Sequence, residues 1–115
     1  MDITIYHNPQ CSNSRNTLAA IRAAGLEPRV VDYLVTPPAR EELLRMLAAA
    51  GLTPREAMRS KEALYAELGL DADGVGDAAL IDAMLAHPVL MNRPFVVTPK
   101  GVRLCRPPET VHEIL

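Results

Sequence analysis

Apolar and polar positions alternate across Ile3-Thr4-Ile5-Tyr6-His7, the period of a short strand, and Asn8-Pro9 marks a turn directly after it. From Ser12 onward the period changes. Leu18, Ile21 and Ala24 or Leu26 recur at helical spacing, and Gly25 supplies a stop. Residues 29–33 read as a second strand, which makes a βαβ unit and predicts parallel pairing. Thr36-Pro37-Pro38 then breaks the chain. Residues 41–50 predict a helix with Leu43, Leu44 and Leu47 on one face and Gly51 as its end. Thr53-Pro54 predicts another short helix, with Thr as cap and Pro at the first helical position. Residues 62–68 continue helically, 69–76 form a polar loop, and Asp77 is expected to cap a helix carrying Leu80, Ile81, Met84 and Leu85. Strand character returns at 94–98 and 101–105, which flank Pro99-Lys100 as a hairpin. Pro107-Pro108 opens a final helix that runs through Leu115.

This order is α/β: β-α-β, then an all-helical insertion at about 37–88, then β-β-α. It is the arrangement of a thioredoxin-like core, here in one domain spanning 1–115. At 115 residues the chain can bury a core without staples. No apolar run approaches the ~18 residues that span a bilayer, so no membrane role is expected. The start, Met1-Asp2-Ile3, has neither a basic n-region nor an apolar h-region. The two cysteines, Cys11 and Cys105, make no disulfide framework, and a reducing cytoplasm is the expected location. A net charge of −2 argues against nucleic acid as a partner. Of the twelve cationic side chains only Lys61 and Lys100 are lysines. Arginine's rigid fork suits tetrahedral oxyanions, but an Ala- and Pro-rich composition suggests high-GC coding, which also raises Arg, so the bias alone decides nothing.

Cys11 carries more information than any other residue. The pattern places it between a strand and the N-terminus of a helix, where free backbone N–H groups favour negative charge and form an anion site. Such a position lowers a thiol pKa from about 8.5 into the range of roughly 3.5–7.5. A thiolate beside an anion site suggests a nucleophile that attacks an oxyanion. An isolated cysteine is often simply a small core residue. The turn before Cys11 and the cap-type residues Ser12 and Ser14 after it argue against burial.

His7-Asn8-Pro9-Gln10-Cys11, followed by Ser14-Arg15-Asn16-Thr17-Leu18, resembles the active-site signature of the glutaredoxin-coupled arsenate reductases, the ArsC family. The likeness continues through Asp32-Tyr33-Leu34, Thr36-Pro37-Pro38 and Tyr65-Ala66-Glu67-Leu68-Gly69-Leu70. It is densest at Leu80-Ile81-Asp82, His87-Pro88-Val89-Leu90, Asn92-Arg93-Pro94 and Val96-Val97-Thr98-Pro99, and closes with Arg103-Leu104-Cys105-Arg106-Pro107. The resemblance implies reduction of arsenate to arsenite through a covalent Cys11–arsenic adduct. It assigns Arg59, Arg93 and Arg106 to the oxyanion and His7 to tuning the cysteine. It also places Arg15 beside the site as a further substrate-binding residue and makes Pro94 a cis proline near it. No bound cofactor and no metal is implied; glutathione is the external reductant and glutaredoxin the protein partner.

The residues also allow blander roles: Arg59 as a solvated helix face, Arg106 as a surface ion pair, His7 as a turn residue. The chain departs from better-known members of the family in having Ser12-Asn13, rather than Gly-Thr, after the nucleophile. Position 14 is Ser, so there is no Cys-x-x-Cys pair, and an adduct on Cys11 needs a thiol from outside the chain. Two other readings remain. A Spx-type transcription regulator shares the fold and binds RNA polymerase, yet many such proteins carry Cys-x-x-Cys and lack the closing Arg-rich motif. A phosphatase-like loop needs Cys and Arg six positions apart, whereas Cys11 and Arg15 are four apart.

Overall fold

The computed structural model describes residues 1–115, which divide into two compact units, Met1–Thr36 with Arg93–Leu115 and Pro37–Asn92. The first unit is built on β1 (Thr4–His7), α1 (Ser12–Ala23), β2 (Arg29–Asp32), β3 (Phe95–Thr98) and β4 (Gly101–Leu104), and it ends in a 3₁₀ helix, Pro108–Ile114. The sheet order is β2-β1-β3-β4. β1 runs parallel to β2, with Ile5 beside Val30 and His7 beside Asp32, and antiparallel to β3, with Ile5 beside Val96. β3 and β4 form the expected hairpin around Pro99-Lys100. This is the thioredoxin-like core that the pattern predicts.

Alternation along β1 puts Ile3 and Ile5 on one face, and Tyr6 on the other is buried as well. Ile3 and Ile5 join Ile21 of α1, Val96 of β3, Cys105, and Val111 and Ile114 of the last helix in one buried cluster. The final segment winds as 3₁₀ rather than α, and it buries Val111 and Ile114. Two prolines at its start also leave no N–H there to donate.

The second unit is helical: α2 (Arg40–Ala50), α3 (Ala63–Glu67), α4 (Asp77–Ala86) and a 3₁₀ turn, Pro88–Leu90. Leu43, Met46 and Leu47 of α2, Tyr65 of α3 and Leu80, Ile81 and Met84 of α4 are buried. The short helix expected at Thr53-Pro54 is a single turn. Its start is capped reciprocally, the Thr53 N–H donating to Glu56 Oε1 (2.9 Å) and the Glu56 N–H to Thr53 Oγ1 (3.2 Å). The turn does not propagate because the next residue but one after Glu56, Met58, enters an antiparallel bridge with Met91. α4 is capped by Gly76, with Asp77 as its first residue. No helix is long and apolar enough to cross a membrane.

Candidate active site

The turn between β1 and α1 is organised by one side chain, Asn8. Its Oδ1 accepts the Gln10 N–H (3.0 Å) and its Nδ2 donates to the Tyr33 hydroxyl (3.3 Å), while the Asn8 backbone carbonyl accepts the Cys11 N–H (3.0 Å). An Asx turn of this kind fixes the chain's direction at the point where strand gives way to helix. Cys11 then sits at the N-cap of α1 with extended backbone angles, φ −97° and ψ 123°, and its carbonyl accepts the Arg15 N–H (3.0 Å). No side-chain oxygen caps the helix. A cap position normally offers an oxygen to the first-turn N–H groups; here the sulfur of Cys11 occupies it.

That placement sets the acidity of the thiol. Burial alone would raise its pKa. The Ser14 N–H, the Arg93 guanidinium, the Asn13 N–H and the Arg106 guanidinium act the other way and outweigh it, so the thiol lies below its ordinary range. Arg106 Nη1 lies 3.9 Å from Sγ and donates to the Arg93 carbonyl at 3.1 Å, which couples the two arginines' positions. Arg93 opens the approach to β3, and the Arg93–Pro94 peptide is cis, as is Arg106–Pro107. Pro94 is buried.

His7 reaches this region through Ser14. Its Nδ1 lies 2.6 Å from Ser14 Oγ, and the same oxygen accepts the Asn8 N–H at 3.0 Å. Burial lowers the imidazole pKa; Asp32 opposes that, while Arg22 and Arg15 add to it. His7 is therefore neutral at pH 7. Arg15 is exposed, and its Nη1 donates to the Pro9 carbonyl at 2.9 Å. Arg59 belongs to the helical unit: its N–H donates to the Leu90 carbonyl (2.8 Å) and its guanidinium pairs with Glu62 at 3.5 Å.

One expectation is corrected. Cys11 is only 8% exposed and Ser14 is fully buried, although their polar sequence context argues for exposure. The hydroxyl of Ser14 is satisfied inside the fold rather than by solvent, so a cap-type residue becomes a core residue. Two contributors were not read as functional from the sequence, Ser14 and Asn8. For Ser14 a signal was present: it lies three residues after the cap, where a backbone N–H points at the cap atom. Cys105 is a different kind of thiol. It lies in the apolar cluster, and burial, then Glu113, push its pKa up to about 12 despite Arg103. It is an inert core residue.

The ArsC family model matches residues 6–114. An arsenate reductase of Rhizobium meliloti (strain 1021) is 62% identical over 115 residues, covering 100% of this chain and 82% of that protein. The arsenate reductase of Escherichia coli (strain K12) is 55% identical over 114 residues, covering 99% and 81%. The solved structure of an arsenate reductase from Vibrio cholerae superposes with a TM-score of 0.96 at 49% identity, covering 100% of this chain and 98% of that one.

Proposed function

Because the chain belongs to the ArsC family, we propose that it is an arsenate reductase in which the Cys11 thiolate attacks arsenate and glutathione, then glutaredoxin, restores the thiol. The observation that carries this reading is the cysteine at the α1 N-cap with the Arg106 guanidinium 3.9 Å from its sulfur. Arsenate at neutral pH is an anion and so is the nucleophile. Two arginines and two backbone N–H groups aimed at one sulfur offset that repulsion both in the bound state and as charge builds during attack.

In the proposed sequence a sulfur–arsenic bond forms as an arsenic–oxygen bond breaks, and the departing oxygen leaves as water after taking protons from solvent. A glutathione thiolate then attacks the Cys11 sulfur. A disulfide forms and the S–As electron pair passes to arsenic, which changes from As(V) to As(III) and leaves as arsenite. Glutaredoxin exchanges the remaining mixed disulfide and frees Cys11. Cys105, buried with its pKa near 12, is unsuited to this resolving step. Arg93 and Arg106 hold the oxyanion, and the family resemblance adds Arg59 as a third guanidinium. His7 acts as a positioning residue through Ser14. The dependence on an external thiol pool suits a reducing cytoplasm.

The test is arsenate-dependent NADPH oxidation coupled through glutathione, glutaredoxin and glutathione reductase. Turnover is expected for the wild type and for Cys105→Ser, and none for Cys11→Ser. A wild type that folds and shows no turnover would favour the non-enzymatic regulator instead.

A further inference from the structure

Arg15 stands one helical turn after Cys11, at the i+4 spacing that puts two side chains on one face of α1. Its Nη1 is tied to the Pro9 carbonyl at 2.9 Å, which holds an exposed guanidinium against the turn that carries the nucleophile. Arg15 takes part in none of the ion pairs that join Arg22 to Glu27, Arg40 to Asp82, Arg59 to Glu62 and Arg103 to Glu113. Arg106 Nη1 lies 3.9 Å from the Cys11 sulfur, whereas the Arg15 guanidinium is held on the carbonyl of Pro9, two residues before the cysteine. Its charge therefore lies to the side of the sulfur, at the remove of the turn's own backbone. A thiol peptide attacking Cys11 has its charges at that remove, since a carboxylate one residue beyond a cysteinyl sulfur can reach about 7 Å from it.

We propose that Arg15 is a carboxylate subsite for the thiol reductant, binding a carboxylate of glutathione while its sulfur meets the Cys11 sulfur. This assignment rests on the glutathione-dependent reading above. It divides the cations of the site between two anions: Arg93 and Arg106 for arsenate, Arg15 for the reductant.

The test uses thiol–disulfide exchange, which needs no arsenate. The Cys11 thiolate attacks one sulfur of a disulfide, a new S–S bond forms, the old one breaks, and the other half leaves as thiolate. Rates at Cys11 are followed by intact mass with glutathione disulfide, which carries carboxylates, and with 2-hydroxyethyl disulfide, which is neutral. The variant is Arg15→Gln, which keeps a neutral amide donor on a shorter side chain and carries no charge. The ratio of the two rates is expected to fall about fivefold in the variant, the size of an exposed charge pair, and to fall similarly in the wild type as salt is raised to about 0.5 M. An unchanged ratio, or an equal loss with both disulfides, overturns the proposal, the second outcome leaving Arg15 as a strap for the loop. In the coupled arsenate assay the same variant is expected to raise KM for glutathione and not for arsenate. The reverse pattern makes Arg15 an oxyanion ligand and also overturns it. A wild type without arsenate turnover rejects the reductase reading, while the disulfide ratio still judges Arg15.

Discussion

Replacing Ser14 with Ala deletes one buried oxygen that serves two partners, and the consequences separate by atom. The Asn8 N–H, 3.0 Å from Oγ, loses its acceptor inside a fully buried site. An orphaned buried donor costs about 1–3 kcal/mol. His7 Nδ1 loses a contact at 2.6 Å, but His7 retains 8% exposure and can recruit water, which puts its share at the low end. The sum is about 2–3 kcal/mol. For a chain of this size that lowers Tm by about 10 °C, and urea unfolding should show the midpoint shift with the slope unchanged. Alanine keeps the backbone N–H at position 14, which helps hold the Cys11 thiol low. The pH midpoint of iodoacetamide labelling at Cys11 should therefore remain below the ordinary thiol value of about 8.5. A stability loss under about 0.5 kcal/mol would show that the Ser14 hydroxyl does not organise the turn. A midpoint at the ordinary value would show that the hydroxyl, rather than the helix terminus and arginines, sets the thiolate.

Arg106→Lys keeps the charge but replaces the fork by which one guanidinium reaches both Cys11 Sγ and the Arg93 carbonyl. Steady-state kinetics should show kcat/KM lower by roughly 10- to 150-fold with kcat falling alongside; wild-type kinetics would remove Arg106 from the oxyanion clamp. Cys105→Ala should flatten the alkaline side of the stability curve. The folded thiol titrates at about 12, above an unfolded value of about 8.5. Its contribution is complete below about pH 8.5 and is lost as pH rises toward 12, at up to about 1.4 kcal/mol per pH unit. Urea midpoints from pH 8 to 10.5 would show parallel curves for the two proteins if Cys105 were accessible.

Periodicity made most of the architecture legible because two short strands and a helix must bury one face each. The alternation at 3–7 and the spacing of Leu18 and Ile21 point to the same side of the sheet, and Ile3, Ile5 and Ile21 meet there. The Pro99-Lys100 turn fixed the hairpin register. Legibility failed where partners distant in sequence decide the outcome. Nothing near Thr53-Pro54 announces that Met58 pairs with Met91 and ends the turn. Nor does anything near Pro107-Pro108 announce that Pro108–Ile114 winds as 3₁₀ rather than α. At the site, the strand–turn–helix junction showed Cys11 as a thiolate candidate, and the arginines followed from the family resemblance. The burial of Ser14 could not be read, because a serine near a helix start normally faces water and this one is held by groups at the end of β1.

The most direct measurement is protection of Cys11 from alkylation by arsenate. With the protein free of added thiol at neutral pH, iodoacetamide labelling is followed residue by residue as arsenate is titrated. The account predicts rapid labelling of Cys11, negligible labelling of buried Cys105, and saturable protection of Cys11 by arsenate that weakens in Arg93→Lys and Arg106→Lys. Labelling of Cys11 that is slow at neutral pH, or that arsenate leaves unchanged at any concentration, would contradict it.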